Sequence, residues 1–254
     1  MHEKAGSELS TPVKVLVSPT CLEEARLLVE LGVDIIDVKN PVEGSLGAQP
    51  PWVIREIAAY ANSHAVPVSA TLGDLPYKPG TAALAAFGLA QLGVQYVKAG
   101  LHGATMHGQA VDMLHSVQRA VRMADETIAL VAAGYADYRQ FGGLTPRDLV
   151  RAASETRCAV VMLDTADKQG GSLFNVMDAN ELESFVASAR AAGLTVALAG
   201  SIGREHVARL RRLGPDIIGV RGALCARRDR TTRIDPRAAR EFIDAVREPA
   251  GTAS

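Results

Sequence analysis

Short runs rich in valine and isoleucine alternate along the chain with segments of helical period rich in alanine, leucine, arginine and glutamate. A short apolar run bounded by turn residues reads as a strand buried on both faces. Its regular alternation with helices is the mark of repeated βα units around a parallel sheet. The pattern predicts strands over 13–18, 35–39, 67–72, 96–100, 127–135, 159–165, 195–200 and 217–222. Helices are expected over 20–31, 51–62, 80–92, 108–124, 146–154, 178–192, 204–213 and 236–247. Pro51, Pro146 and Pro236 stand at helix starts, and Gly32, Gly93, Gly193 and Gly214 stand just past helix ends, each leading into an apolar run. Eight such strands are the number that closes a TIM barrel, so the expected fold class is α/β, a (β/α)8 barrel. An open, doubly wound sheet is the alternative, but no glycine-rich dinucleotide fingerprint follows the first strand.

A chain of 254 residues, 48% of them hydrophobic, can bury one large core, and no low-complexity linker divides it. A single barrel domain over 13–248 is expected, between an N-terminal tail over 1–12 and a C-terminal tail over 249–254. A net charge of −1 with interspersed signs gives no basic field for nucleic acid, and the run Arg227, Arg228, Arg230 is too short to change that. Cys21, Cys158 and Cys225 are scattered without CxxC spacing, which suggests reduced intracellular thiols and neither a disulfide framework nor a structural zinc. The N-terminal segment is polar, and no segment is long and apolar enough to span a bilayer. These features point to a cytoplasmic protein that acts on a small molecule without nucleic-acid or membrane partners, and a homo-oligomer is expected.

In such a barrel the chemistry gathers at the C-terminal ends of the strands. Here the second strand ends in Asp37 and Lys39, the third in Ser69 and Thr71 followed by Asp74, the fourth in Lys98, the fifth near Tyr135 and Asp137, and the sixth in Asp164 with Lys168 just beyond. A lysine on a buried strand is costly unless paired or catalytic, and amine chemistry on carbonyl substrates needs such a desolvated amine. Asp37 and Lys39 are two residues apart and share a strand face, so an ion pair between them is expected to orient the lysine. A neighbouring ammonium would lower the pKa of a nucleophilic lysine. The alternative is that each lysine snorkels to the rim and pairs with a carboxylate. His102, His107 and His115 show no ligand spacing, and no metal or other cofactor is expected.

The last two strands carry a different signal. Gly200 and Ser201 follow the seventh, Arg221 and Gly222 the eighth, and loops at these two places commonly bind phosphate in TIM barrels through backbone N–H groups that glycine leaves approachable. The loop after Lys39, with Gly44 and Ser45, reads either as a well-turned connection or as a segment able to close over an anionic substrate.

Several blocks resemble one family. They include Asp34-Ile35-Ile36-Asp37-Val38-Lys39-Asn40-Pro41, Glu43-Gly44-Ser45-Leu46-Gly47-Ala48, Pro76-Tyr77-Lys78-Pro79-Gly80-Thr81, Ala132-Ala133-Gly134-Tyr135-Ala136-Asp137, Met162-Leu163-Asp164-Thr165, Ala199-Gly200-Ser201-Ile202 and Gly219-Val220-Arg221-Gly222-Ala223. In order and content they are similar to the (5-formylfuran-3-yl)methyl phosphate synthase family. The resemblance implies a TIM-barrel lyase of class I aldolase type that joins two glyceraldehyde 3-phosphate molecules into a furan aldehyde phosphate, for methanofuran-type one-carbon carriers. It further implies Lys39 as the Schiff-base lysine and Lys98 as proton acceptor, with Asp37, Asp164 and Lys168 in support. His102 departs from an expected aromatic residue, and Gln169-Gly170-Gly171 matches loosely. Two other readings of the same residues are a phosphate-binding barrel lyase that uses its lysines as acids and bases without an imine, and a non-catalytic barrel that binds a phosphometabolite.

Overall fold

A computed structural model describes residues 12–248. Eight strands follow one another: β1 (Lys14–Val17), β2 (Ile35–Val38), β3 (Val68–Thr71), β4 (Tyr96–Gly100), β5 (Ala129–Tyr135), β6 (Val160–Asp164), β7 (Thr195–Leu198) and β8 (Ile217–Val220). They pair in parallel in sequence order and close where β8 meets β1, with Lys14 opposite Ile217 and Val17 opposite Val220. The helices are α1 (Leu22–Glu30), α2 (Pro51–Ser63), α3 (Pro79–Ala90), α4 (His107–Ala124), α5 (Pro146–Glu155), α6 (Leu173–Val176), α7 (Ala179–Ala191), α8 (Val207–Leu213) and α9 (Pro236–Arg247). The fold is the expected (β/α)8 barrel. Most of both expected tails lies outside the described residues.

Local chemistry explains the boundaries. Proline occupies the first turn of α2, α3, α5 and α9. Side chains of Thr145, Asp178 and Asp235 accept the N–H groups of Asp148, Glu181 and Ala238, each cap being worth about 1 kcal/mol. Gly32, Gly93, Gly193 and Gly214 all have positive φ (76, 79, 73 and 67°), the left-handed turn that ends a helix and sends the chain into β2, β4, β7 and β8. Two details were not expected. The segment over 204–213 is a 3-10 turn, Arg204–His206, followed by α8, because His206 Nδ1 takes the Gly203 N–H at 3.0 Å. The short α6 is capped by Ser172, whose hydroxyl and N–H both donate to Asn175 Oδ1.

Alternate strand residues separate two cores. Val15, Val17, Ile36, Val38, Val97 and Ile218 face outward against the helices, packing among residues such as Leu28, Ile57, Leu114 and Ile243. Leu16, Ile35, Val131, Val160, Met162, Ala197 and Ile217 face inward and fill the barrel. Toward the C-terminal ends of the strands the inward positions turn polar, with Ser18, Asp37, Lys39, Ser69, Thr71, Lys98 and Asp164 all buried. An apolar plug with a buried polar layer above it is the ground plan of the site.

Candidate active site

A cavity of about 660 Å³ opens at this end of the barrel, within the range of roughly 300–1,000 Å³ usual for ligand pockets. Lys39, Asp164 and Lys168 stand on its wall. Asp164 sits at the end of β6 and is shared by both lysines: Oδ1 accepts Lys168 Nζ at 2.5 Å, and Oδ2 lies 3.7 Å from Lys39 Nζ. That second oxygen is buried with no hydrogen-bond partner. Burial opposes charge on Asp164, but the ammonium groups of Lys168 and Lys39 outweigh it and hold the carboxyl well below the usual carboxylate range. Lys39 Nζ makes this loose ion pair and no hydrogen bond among the described residues, and its side chain is 9% exposed. Burial first, against the opposing pull of Asp164 and Asp37, lowers its pKa from 10.5 to about 8, with Lys168 and Lys98 adding smaller downward pushes. Desolvation, more than the expected like-charge repulsion, makes this amine available. Lys168 is lowered for the same first reason, against the pull of Asp164.

Asp37 does not pair with Lys39 as its spacing suggested. It binds Lys98, whose Nζ donates to Oδ1 at 2.6 Å, with both side chains buried, while Ser18 Oγ donates to Oδ2 at 3.1 Å. The register explains this correction: Asp37 lies opposite Ser69 on β3, and Thr71 on β3 lies opposite Lys98, so only small side chains separate the carboxylate from the long lysine. Burial works to raise Asp37, but Lys98 and then Lys39 outweigh it and lower the carboxyl. Neither Asp37 nor Lys98 lines the large cavity; Lys98 instead borders the small space inside the barrel below it. The predicted residues therefore form two tiers, Lys39, Asp164 and Lys168 on the wall and Asp37 with Lys98 behind.

Across the cavity, Gly200, Ser201, Gly222 and Ala223 lie on its wall, and their N–H groups have no hydrogen-bond acceptor among the described residues. Gly200 is obligatory by shape, with φ 109° and a would-be Cβ 2.8 Å from Thr165 Cγ2. Arg221 also borders the cavity, but its guanidinium does not offer itself to a ligand. Nε donates to Arg230 O at 2.6 Å, Nη1 to Ser18 O at 2.6 Å and Glu24 Oε2 at 2.9 Å, and Nη2 to Thr232 O at 2.9 Å. A buried arginine must satisfy its fork, and the nearest buried anion is Glu24 of α1. Of the four residues expected to hold phosphate, Gly200, Ser201 and Gly222 present unpaired N–H groups to the cavity, whereas Arg221 is spent on Glu24 and on backbone carbonyls around the two loops.

The loop with Gly44 and Ser45 is already pinned over the barrel. Ser45 Oγ donates to Thr165 O at 2.7 Å, Thr71 Oγ1 to Leu46 O at 2.8 Å, and Leu46 N to Asp74 Oδ2 at 3.0 Å, while Leu46 is fully buried in the inner core. Neither Gly44 nor Ser45 lines the cavity. Asp74 also accepts the Tyr135 hydroxyl, and burial followed by Asp74 pushes that phenol well above its ordinary pKa, so it remains a donor. His102, the departure from an expected aromatic residue, stacks on Phe141 with ring centroids 4.4 Å apart.

Sequence reasoning missed Arg230. Its Nη2 donates to Gly44 O at 2.7 Å, and its side chain borders the cavity beside Lys168 and Asp164. The signal was available: a basic residue in the loop after the eighth strand, where phosphate is commonly held. Among the described residues no cluster of three or more histidine, cysteine, aspartate or glutamate side chains is placed to hold a metal, and no helix is long and apolar enough to cross a membrane.

Comparison with known proteins places this geometry. The family model described as 4-HFC-P synthase matches residues 15–243. The chain is 49% identical over 234 residues to a protein of Archaeoglobus fulgidus named (5-formylfuran-3-yl)methyl phosphate synthase, covering 92% of this chain and 99% of that one. The protein of that name from Methanothermobacter thermautotrophicus is 50% identical, with 92% and 96% covered. Solved structures of the same shape include KGPDC from Streptococcus mutans, with a TM-score of 0.61 at 12% identity and coverage of 93% and 98%. Another is phosphoribosylanthranilate isomerase from Thermotoga maritima, with a TM-score of 0.58 at 18% identity and coverage of 92% and 98%. At such identities these structures show the barrel fold alone.

Proposed function

This chain belongs to the 4-HFC-P synthase family, and from that premise we propose that it joins two molecules of glyceraldehyde 3-phosphate into (5-formylfuran-3-yl)methyl phosphate through an imine on Lys39. The product is suited to the biosynthesis of methanofuran-type one-carbon carriers. The observation that carries the reading is the state of Lys39: an amine on the cavity wall, without a hydrogen-bond partner among the described residues, with its pKa lowered to about 8.

Two triose phosphates supply every carbon of the product, which keeps one phosphate; the other phosphate leaves together with two waters. Lys39 adds to a triose carbonyl and expels water. The resulting iminium draws electrons from the adjacent carbon and acidifies its C–H bond. Loss of that proton gives an enamine that expels the phosphate from the next carbon, opening that carbon to attack by the enediol of the second triose. Ring closure and loss of two waters give the furan, and one water, replacing the one expelled when the imine formed, releases Lys39. Asp164, held ionised, faces the imine nitrogen with its unpartnered oxygen and stabilises the positive charge that forms there as the carbinolamine collapses. Lys168, bound to the other oxygen of Asp164, supplies a proton to a departing oxygen. Lys98, the proton acceptor that the family resemblance implies, can take a proton only after its own has passed on, and it stands behind the wall with Asp37, while the free N–H groups after β7 and β8 fix one phosphate so that the reacting carbonyl meets Lys39.

The test is incubation of the chain with glyceraldehyde 3-phosphate. The expected result is a furan chromophore with one phosphate released per furan. Phosphate release without a furan, or no turnover of the triose, would overturn the reading.

A further inference from the structure

Resting on the reading of two triose phosphates in one cavity, we propose that Arg230 and Lys168 form a second phosphate site, separate from the backbone cradle after β7 and β8. The cavity wall carries five basic side chains that can bear charge independently of histidine: Lys39, Lys168, Arg221, Arg228 and Arg230. Arg221 is neutralised by Glu24 at 2.9 Å, and Arg228 by Glu205 at 2.7 and 3.2 Å. Asp229 is exposed and turned to Thr231, whose N–H and hydroxyl it accepts at 2.9 and 2.7 Å. What remains on the wall is Lys39, Lys168 and Arg230 with Asp164 as the one wall carboxylate left to them, while Asp37, Asp137 and Asp74 act on these three cations from outside the cavity lining.

Arg230 is the group in this set with the most unused capacity. A guanidinium has five N–H donors in a planar fork. One of them, on Nη2, meets Gly44 O, and the remainder make no hydrogen bond among the described residues. Burial is the largest influence on its pKa and lowers it, with Asp164 and Asp74 opposing, which fits a half-buried head beside the cavity's charges. Its backbone is fixed because Arg230 O accepts Arg221 Nε at 2.6 Å, so the buried Arg221–Glu24 pair sets where the Arg230 side chain starts. Lys168 lies close enough for Arg230 to depress its pKa. A planar fork beside an ammonium suits a phosphoryl group, which can take a bidentate contact from one and a point charge from the other.

The chemistry needs such a site. Two phosphate dianions in one cavity repel each other unless each meets its own donors, and the neutral N–H groups of Gly200, Ser201, Gly222 and Ala223 can surround only one of them. The site on Lys168 and Arg230 adjoins Asp164 and so lies where a phosphate must leave.

The test is the number of inorganic phosphate ions bound per intact chain, by calorimetry, for the wild type, Arg230→Met and Arg228→Met. Two are expected for the wild type and for Arg228→Met, and one for Arg230→Met, whose remaining site also reports that the variant is folded. In steady state Arg230→Met should raise KM for glyceraldehyde 3-phosphate about tenfold or more, the effect of one lost charge-assisted contact. One phosphate on the wild type, or two on Arg230→Met, would overturn the second site. The count is repeated on Lys39→Ala. Two phosphates bound there, with condensation lost for want of an imine, keep this site whatever becomes of the proposed reaction.

Discussion

Replacing Asp164 with asparagine should move the titration of Lys39 downward, and the size of the move follows from the structure. In the wild type a pKa of about 8 leaves roughly one Lys39 amine in ten unprotonated at pH 7, against roughly three in ten thousand at the ordinary lysine value of 10.5. Asp164 is the strongest group opposing that depression, its Oδ2 lying 3.7 Å from Nζ. Charges at such a distance interact by about 4 kcal/mol at an effective dielectric constant of about 20, a ceiling of roughly three pKa units. Water that follows the change will screen part of it, so a fall of one unit or more is expected. The amine is the reactive form, so the rate of imine formation rises with pH through the Lys39 pKa and levels above it. The assay is imine formation with glyceraldehyde 3-phosphate, quenched into borohydride at timed intervals and read by intact mass across a pH series. The wild-type limb should lie near pH 8, and the Asp164→Asn limb below it even though turnover falls. A wild-type limb near 10.5, or an upward move in the variant, refutes burial and the Asp164 charge as the controls on this amine.

Other consequences concern the loops. Gly200→Ala places a Cβ 2.8 Å from Thr165 Cγ2 at φ 109° and should cost about 1–3 kcal/mol in thermal unfolding, whereas Gly222→Ala meets nothing closer than 3.5 Å and should stay within roughly 0.5 kcal/mol. Arg221→Met leaves Glu24 buried without its cation and should cost about 3–5 kcal/mol in urea unfolding; an unchanged midpoint would contradict its structural role. Ser45→Ala removes the bond to Thr165 O and should cost about 1 kcal/mol while leaving KM unchanged, and a large rise in KM would make Ser45 a ligand.

The barrel was legible because the strands are short, buried and mostly apolar runs and many of the connecting helices carry a start or stop signal, as at Pro146 and Gly193. Lys39, Lys98 and Asp164 were legible as charged residues on strands that otherwise read as buried, a contradiction that chemistry resolves. Their partners were not. Asp37 chose Lys98 over Lys39 because pairing inside a barrel depends on the stagger between β2, β3 and β4, and spacing along one strand carries no information about that. The role of Arg221 was misjudged for a similar reason: its acceptors are Glu24, Ser18, Arg230 and Thr232, drawn from both ends of the chain. Arg230 sits in an irregular loop with no periodicity, and the anchors that aim it are long-range contacts.

The central claim is that one particular lysine becomes covalently bound to substrate. Glyceraldehyde 3-phosphate with borohydride, followed by digestion and mass mapping, should place a reduced triose-derived adduct on the peptide containing Lys39 and leave Lys39→Ala unlabelled. An adduct confined to Lys98 or Lys168, or turnover in the wild type with no lysine labelled, would contradict the account.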